Sequence, residues 1–429
     1  MTATVSARRR RRRGGDRQAS KIAGAIAGQG IQAVSSLVFQ LVAVRTLGDS
    51  RSARLAEFGR FSILVGLLIT LSALLAGFRD ASIVHEVSDP HLRPVANSMQ
   101  FVMAVVAAGI GFVFAATFAS ADPGERMWFA LVVLLWVLEE AGRRHFIARM
   151  HYGSLVINDM TYLSVAVGGL ALRATLDSNL DITALLQCMA AGSAASFVLG
   201  LLVQLGPRRF SVRGTTRDGI AEVTRFAIWR SLHGLTTPAQ VFLLRYGVSV
   251  LVATAAVGVL EAGRVLIAPG FVVVSGFSTF LLPTFARLRG KWDAFYRYLR
   301  RVVVFMALAM AALSALFVLL YEFLAELLLG DAADEVTLTL VVSWVLMLSI
   351  TAISQPVGVS GVAMGRTRQV FAFRLADSAV GLIAALLLAE FVSVDVAPLG
   401  LATGSIVGTA LLWRHTHEHR PRGPIFEIQ

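Results

Sequence analysis

Five arginines and five carboxylates interrupt the long apolar runs of this 429-residue chain. The arginines are Arg45, Arg60, Arg230, Arg245 and Arg264; the carboxylates are Glu139, Glu140, Asp159, Glu261 and Asp377. An ionised side chain at the centre of a bilayer costs at least ~2.5 kcal/mol on insertion scales, so such residues face a protein interior or an aqueous cavity. Arg45, Arg60 and Arg230 fall within snorkelling reach of a membrane surface, whereas Arg245 and Arg264 fall deeper. A guanidinium fork matches phosphate oxygens two at a time. A cavity lined by Arg45, Arg60, Arg245 and Arg264 therefore suits an anionic substrate, while small organic cations would want the opposite balance. Glu261 and Arg264 are three residues apart and pair on one helical face. With Arg374 assigned to a loop, Asp159 and Asp377 have no basic neighbour at helical spacing on their own runs. A lone membrane carboxylate is a candidate proton or sodium site, which makes Asp159, Asp377 and Glu261 the ion-coupling candidates.

The elements that position these residues follow from composition. Hydrophobic residues make up 56% of the chain and charged ones 15%, with a mean hydropathy of +0.70, which excludes an ordinary soluble protein and leaves no room for a sizeable soluble domain. Apolar runs bounded by charges predict twelve spans, at 22–46, 58–78, 97–119, 127–147, 154–173, 183–205, 226–250, 255–283, 301–321, 336–361, 371–391 and 397–413. Net charge is +12, and alternate connecting segments differ sharply in basic residues. One set holds 30 of the 39, from the Arg8–Arg13 run to Arg422, and the other holds Arg51, Arg54, Arg126 and Arg173 and is acidic. The positive-inside rule places the basic set and both termini in the cytoplasm, in a multi-pass plasma (inner) membrane protein. The surplus of arginine is thereby assigned to topology and not to nucleic acid, and the polybasic start to a disordered tail followed by a retained first span.

The loop 206–225 divides the chain into six spans plus six. The expected organisation is a tail, 1–21; an N-lobe, 22–205; a linker, 206–225; a C-lobe, 226–413; and a tail, 414–429. Halves with even numbers of spans share an orientation, so the fold class is an all-α polytopic membrane protein of about twelve helices, in two parallel-repeat six-helix lobes around a central cavity. Gly59 in span 2 and Gly258 in span 8 match in this register, as do Asp159 in span 5 and Asp377 in span 11. Pro238, Pro269 and Pro356 all fall in the second half, where kinks are expected to concentrate. There is no GxxxxGK[ST] loop, HExxH or CxxC pattern. His415, His417 and His419 read as a solvated tail and Cys188 stands alone, so neither an enzyme, a cofactor nor a metal site is expected.

Arg45-Thr46-Leu47-Gly48 followed by Glu57-Phe58-Gly59-Arg60-Phe61, then Val257-Gly258 to Ala262, Leu282-Pro283-Thr284-Phe285-Ala286-Arg287-Leu288 and Gly365-Arg366 resemble the polysaccharide-export branch, that of the O-antigen flippases, of the multidrug/oligosaccharidyl-lipid/polysaccharide flippase superfamily. The chain departs from that pattern at Arg245-Tyr246, where the branch often has an acidic residue late in span 7. The resemblance implies alternating access that carries a polyprenyl-diphosphate-linked oligosaccharide to the outer leaflet, with membrane lipids as surroundings and a proton or sodium ion as possible driving ion. The alternatives are a cation-coupled small-molecule exporter of the same fold and a non-transporting scaffold for envelope assembly.

Overall fold

The computed structural model describes residues 28, 30–81, 92–149, 151–176, 180–205 and 217–418. The polybasic segment 1–21, the first residues of span 1, most of the linker 206–225 and the tail beyond 418, His419 included, lie outside the described residues. Among the described residues all regular structure is helical. The helices that answer the twelve expected spans are α1 (Gly30–Thr46), α2 (Arg51–Leu74), α3 (Arg93–Ala119), α4 (Pro123–Ala148), α5 (Tyr152–Leu176), α6 (Ile182–Leu199, continued by a wider turn over Gly200–Leu205), α7 (Arg217–Leu251), α8 (Thr254–Leu266 and Ala268–Leu288), α9 (Trp292–Leu319), α10 (Leu338–Ala363), α11 (Thr367–Phe391) and α12 (Ala397–Glu418). Eight of these are individually long and apolar enough to cross a bilayer; α8 qualifies as a bent pair and α1 is apolar but shorter. Charged residues interrupt α4 and α7. A short helix, Tyr321–Leu329, and a 3-10 turn, Gly330–Glu335, follow α9. Helices α7 and α9 begin about nine residues before their apolar runs do, because arginine-rich turns continue a helix as readily as leucine and stop only the hydrocarbon match.

The acidic residues of the arginine-poor loops cap helices. Asp122 accepts from the Glu125 N–H at 2.8 Å while Glu125 reaches back to the Asp122 N–H at 3.1 Å, a reciprocal capping box ahead of α4. Asp181 accepts from the Ala184 N–H at 2.7 Å to start α6, and Thr337 caps α10 while donating to Asp395 at 2.7 Å. Each satisfies backbone donors that no membrane lipid could.

Two compact units contain these helices. The first comprises the described residues up to Phe39 and within Leu67–Leu235; the second, those within Gln40–Gly66 and from Thr236 onward. The divisions fall inside α1, α2 and α7. In the first unit α3 packs on α4, α5 on α6, and α4 on α6. In the second, α9 packs on α10, α11 on α12, and α10 on α12. These three pairings recur six helices on, in keeping with the parallel repeat expected of the sequence.

Within the second unit, the two glycines matched by the repeat meet each other. A methyl group on Gly59 of α2 would stand 2.2 Å from the Thr254 carbonyl oxygen, and one on Gly258 of α8 would stand 2.1 Å from that of Leu55. Small residues that let two backbones approach are the usual device of helix association in lipid. The expected proline kinks are realised at one site. Helix α8 bends by 55° after Leu266, where Pro269 lacks the N–H that would continue the ladder, but α7 and α10 run on through Pro238 and Pro356.

Candidate functional site: two buried charge clusters

Six of the ten arginines and carboxylates singled out by type gather into two clusters, one in each unit. In the second unit the centre is Glu261 on α8. Its carboxylate receives the Arg245 guanidinium of α7 in a fork, Nε to Oε1 at 2.7 Å and Nη2 to Oε2 at 2.8 Å. The remaining Nη1 of Arg245 donates to the Ser62 carbonyl of α2 at 2.9 Å. Arg264, one turn along α8, donates Nε to the same Oε2 at 2.7 Å and Nη2 to Gln40 of α1 at 3.2 Å. Arg245 is 2% exposed and Glu261 1%, whereas the Arg264 side chain retains 24% of its surface. Gly66 makes room for the buried fork, since a methyl group there would stand 2.5 Å from Arg245 Nη1. Two guanidinium groups thus share one carboxylate just before the bend of α8, an excess of one positive charge. Arg245 was expected to line a cavity; instead all its nitrogens are engaged inside the protein, and Arg264 is the member that keeps a solvent-facing side.

In the first unit the centre is Arg143 of α4. It forks onto Asp159 of α5, Nε to Oδ1 at 2.7 Å and Nη2 to Oδ2 at 3.0 Å, and its Nη1 donates to Glu140 one turn earlier. Gln32 of α1 donates to Glu140 at 2.9 Å, and Ser196 of α6 to Glu139 at 3.2 Å. All four charged groups are buried, and three carboxylates surround one guanidinium. Asp159 is therefore not the unpaired carboxylate that its own helix suggests. Arg143 is the residue the sequence reading missed: although it lies within span 4, 127–147, it was counted with the cytoplasmic loop arginines. The spacing held the signal, because Glu139 and Glu140 lie four and three residues before Arg143, on one face.

Asp377 also has a partner. Arg374, assigned to the loop before span 11, lies within α11 and its Nη1 is 3.3 Å from Asp377 Oδ2, while Ser405 of α12 is 3.5 Å from Oδ1. Arg374 keeps 27% of its side-chain surface. The remaining arginines are dispersed. Arg45 donates to the Leu327 and Leu328 carbonyls, the second at 2.9 Å, and so closes the C-terminus of the short helix after α9. Arg60 pairs with Glu57 at 2.8 Å on α2, and Arg230 with Asp80 at 2.7 Å. No group of three or more potential metal ligands occurs among the described residues.

No protein-family description matches the sequence, and no curated protein does. Solved structures do match. An inward-facing multidrug resistance MATE family transporter of the MOP superfamily superposes with a TM-score of 0.74 over 90% of this chain and 94% of its own, at 12% identity. The chain has the MATE transporter fold. The same multidrug type in an outward-facing conformation gives 0.65, over 92% of this chain and 94% of that one at 12% identity. A MOP superfamily transporter from Pyrococcus furiosus, described as having a reverse polarity of its binding pocket that suggests a different function, gives 0.67 with the same coverage and identity. The MATE-like architecture is consistent with the repeated helix pairings.

Proposed function

We propose that the chain is an inner-membrane flippase that carries a polyprenyl-diphosphate-linked oligosaccharide, or a related anionic glycolipid, from the cytoplasmic to the outer leaflet by alternating access between two six-helix lobes. The observation that carries this reading is the charge balance at Glu261. With Arg245 already forked onto the carboxylate, Arg264 is the surplus cation, half-buried and beside the bend of α8. Exchanging its Glu261 contact for a phosphate oxygen costs one charged hydrogen bond and gains another. Arg60, paired with Glu57 and similarly half-exposed, is the second headgroup contact, while Arg245 and Arg45 hold the elements that present them. A structural neighbour described as having a reverse polarity of its binding pocket, suggesting a different function, supports a cationic site in this fold. The carboxylate-rich cluster of Glu139, Glu140 and Asp159 is the proposed proton or sodium site of the first lobe, and Asp377 with Arg374 that of the second.

A second reading, cation-coupled export of a small molecule, rests on the multidrug transporters that share the fold. Reconstitution with a labelled polyprenyl-diphosphate oligosaccharide separates the two. Hydrogen bonds to charged groups contribute ~1.5–3 kcal/mol each, so Arg264→Gln is expected to slow leaflet exchange about 10- to 100-fold at limiting substrate. Exchange equal to the unaltered protein would remove the assignment, and vesicles that extrude an organic cation but leave the glycolipid in place would favour the second reading.

A further inference from the structure

The arginines of the two sets of loops differ in what they touch. On the arginine-poor side every one is engaged within the chain: Arg51 with Asp334 at 2.7 Å, Arg54 with Asp331 at 3.3 Å, Arg126 with the Ala121 carbonyl at 2.7 Å and Arg173 with Gln187 at 2.5 Å. At the junction of α8 and α9 the opposite holds. Arg287, Arg289, Lys291, Arg297, Arg300 and Arg301 are all exposed, and none forms an ion pair or hydrogen bond through its side chain with any described residue. Asp293 is the sole acid in that stretch.

This is not a loose loop. Phe285 at the end of α8 stacks against Phe295 and Tyr298 at ring-centre distances of 5.0 and 5.3 Å, and Trp292 meets Phe295 at 5.7 Å. Phe285, Phe295 and Leu299 are fully buried with Met364 beside them. The first turns of α9 are thus a rigid foot with an aromatic inner face and a cationic outer one. Its height is set by length. Helix α9 has 28 residues, about 42 Å at 1.5 Å per residue, against a hydrocarbon core of about 30 Å. Its last residues, from Val302 to Leu319, are continuously apolar apart from Ser314 and fill the core, so the first two to three turns stand at headgroup depth. Trp292, Tyr296 and Tyr298 are the amphipathic rings that favour that depth.

We propose that this foot is a binding surface for anionic phospholipid headgroups of the inner leaflet. A phosphate-bearing leaflet supplies the acceptors the six cations lack among the described residues, at the depth where the helix holds them, and the aromatic packing fixes their spacing beforehand. A soluble polyanion would find the same charges but would make no use of the rings at the interface. Each cation within reach of an anionic surface strengthens association about fivefold.

The test uses the full chain in nanodiscs of phosphatidylcholine containing brominated phosphatidylglycerol or brominated phosphatidylcholine. The readout is the part of tryptophan quenching that disappears in Trp292→Phe. The unaltered protein is expected to prefer the anionic lipid at Trp292 at least fivefold, and to lose the preference as salt rises. Arg297→Gln, Arg300→Gln and Arg301→Gln together are expected to bring the ratio near one, while the three corresponding Arg→Lys changes keep it. Absence of any preference in the unaltered protein overturns the proposal whether or not the variants insert. So does a preference that survives the three glutamines, or one that a soluble oligonucleotide of equal charge abolishes as competitor.

Discussion

Replacing Glu261 by glutamine asks whether the second-unit cluster is one buried ion pair with an accessory cation, as the geometry implies, or three equivalent charges. Arg245 is 2% exposed and directs three nitrogens inward, two of them at Glu261. Glu261→Gln leaves that guanidinium buried without a counter-charge, and breaking one side of a buried pair costs ~3–5 kcal/mol. Arg245→Gln leaves Glu261 with Arg264 alone and is expected to fall in the same range or slightly below. Arg264→Gln leaves the Arg245 fork intact and removes one bond from a side chain still 24% exposed, so ~1 kcal/mol or less is expected after allowance for solvent screening. The double change Glu261→Gln with Arg245→Gln removes both charges of the fork and should recover much of the loss, a coupling of ~1–3 kcal/mol in a double-mutant cycle. Thermal unfolding of the purified variants in one detergent measures the order, and leaflet exchange measures function beside it. The expected pattern is dissociation: Arg264→Gln stable but defective in transport, Glu261→Gln unstable. An Arg264→Gln variant as unstable as Glu261→Gln, or a fully stable Glu261→Gln, would refute the division of roles.

Two further outcomes follow from the packing. In the first unit, Arg143→Gln removes the guanidinium forked onto Asp159 and leaves Arg79 and Arg144 as the cations near Glu140, and is expected to cost up to ~3–5 kcal/mol; adding Asp159→Asn should restore part of the stability in the same unfolding assay, because it removes the carboxylate that lost its partner. Gly59→Ala and Gly258→Ala each set a methyl group about 2 Å from a backbone carbonyl of the facing helix, a clash no rotamer relieves, so either is expected to lower the yield of monodisperse protein severalfold in size-exclusion chromatography, whereas alanine at Gly109, where no atom lies within 4 Å, should leave it unchanged.

The twelve helices were legible in the sequence because a bilayer demands one thing of every span, a run of about twenty apolar residues, and that demand does not depend on what each helix packs against. The repeat was legible only in outline, through Gly59 and Gly258. What the sequence hid was partnership. Arg143 and Arg374, near the cytoplasmic ends of spans 127–147 and 371–391, were counted with the basic loop residues that orient the chain, although both lie inside helices and hold the two aspartates of interest. Arg245 and Glu261 are sixteen residues apart on different helices, and their meeting depends on the rotation of α7 against α8, which periodicity does not determine. The local pair Glu261 and Arg264 was visible because three residues on one helix are neighbours whatever the fold.

The two halves solve the same local problem with different donors. Arg143 stands five residues before the end of α4 and reaches across to Asp159 on α5. The position five residues before the end of α10, the repeat partner of α4, is Gly358. The space a side chain would occupy there is taken by Arg374 of α11, whose Nη2 would be 3.3 Å from a methyl group on Gly358, and which pairs with Asp377 on its own helix. A guanidinium–carboxylate pair therefore stands at this place in each repeat, across the fourth and fifth helices in the first unit and within the fifth helix in the second, where Gly358 leaves room for the arginine. In the first unit two further carboxylates crowd that pair and the guanidinium is buried; in the second the arginine is partly exposed and no other carboxylate joins it among the described residues. Equivalent places in the fold thus carry different charge settings, with extra carboxylates in one unit and a single pair in the other, and the surplus guanidinium stands instead at Arg245 and Arg264.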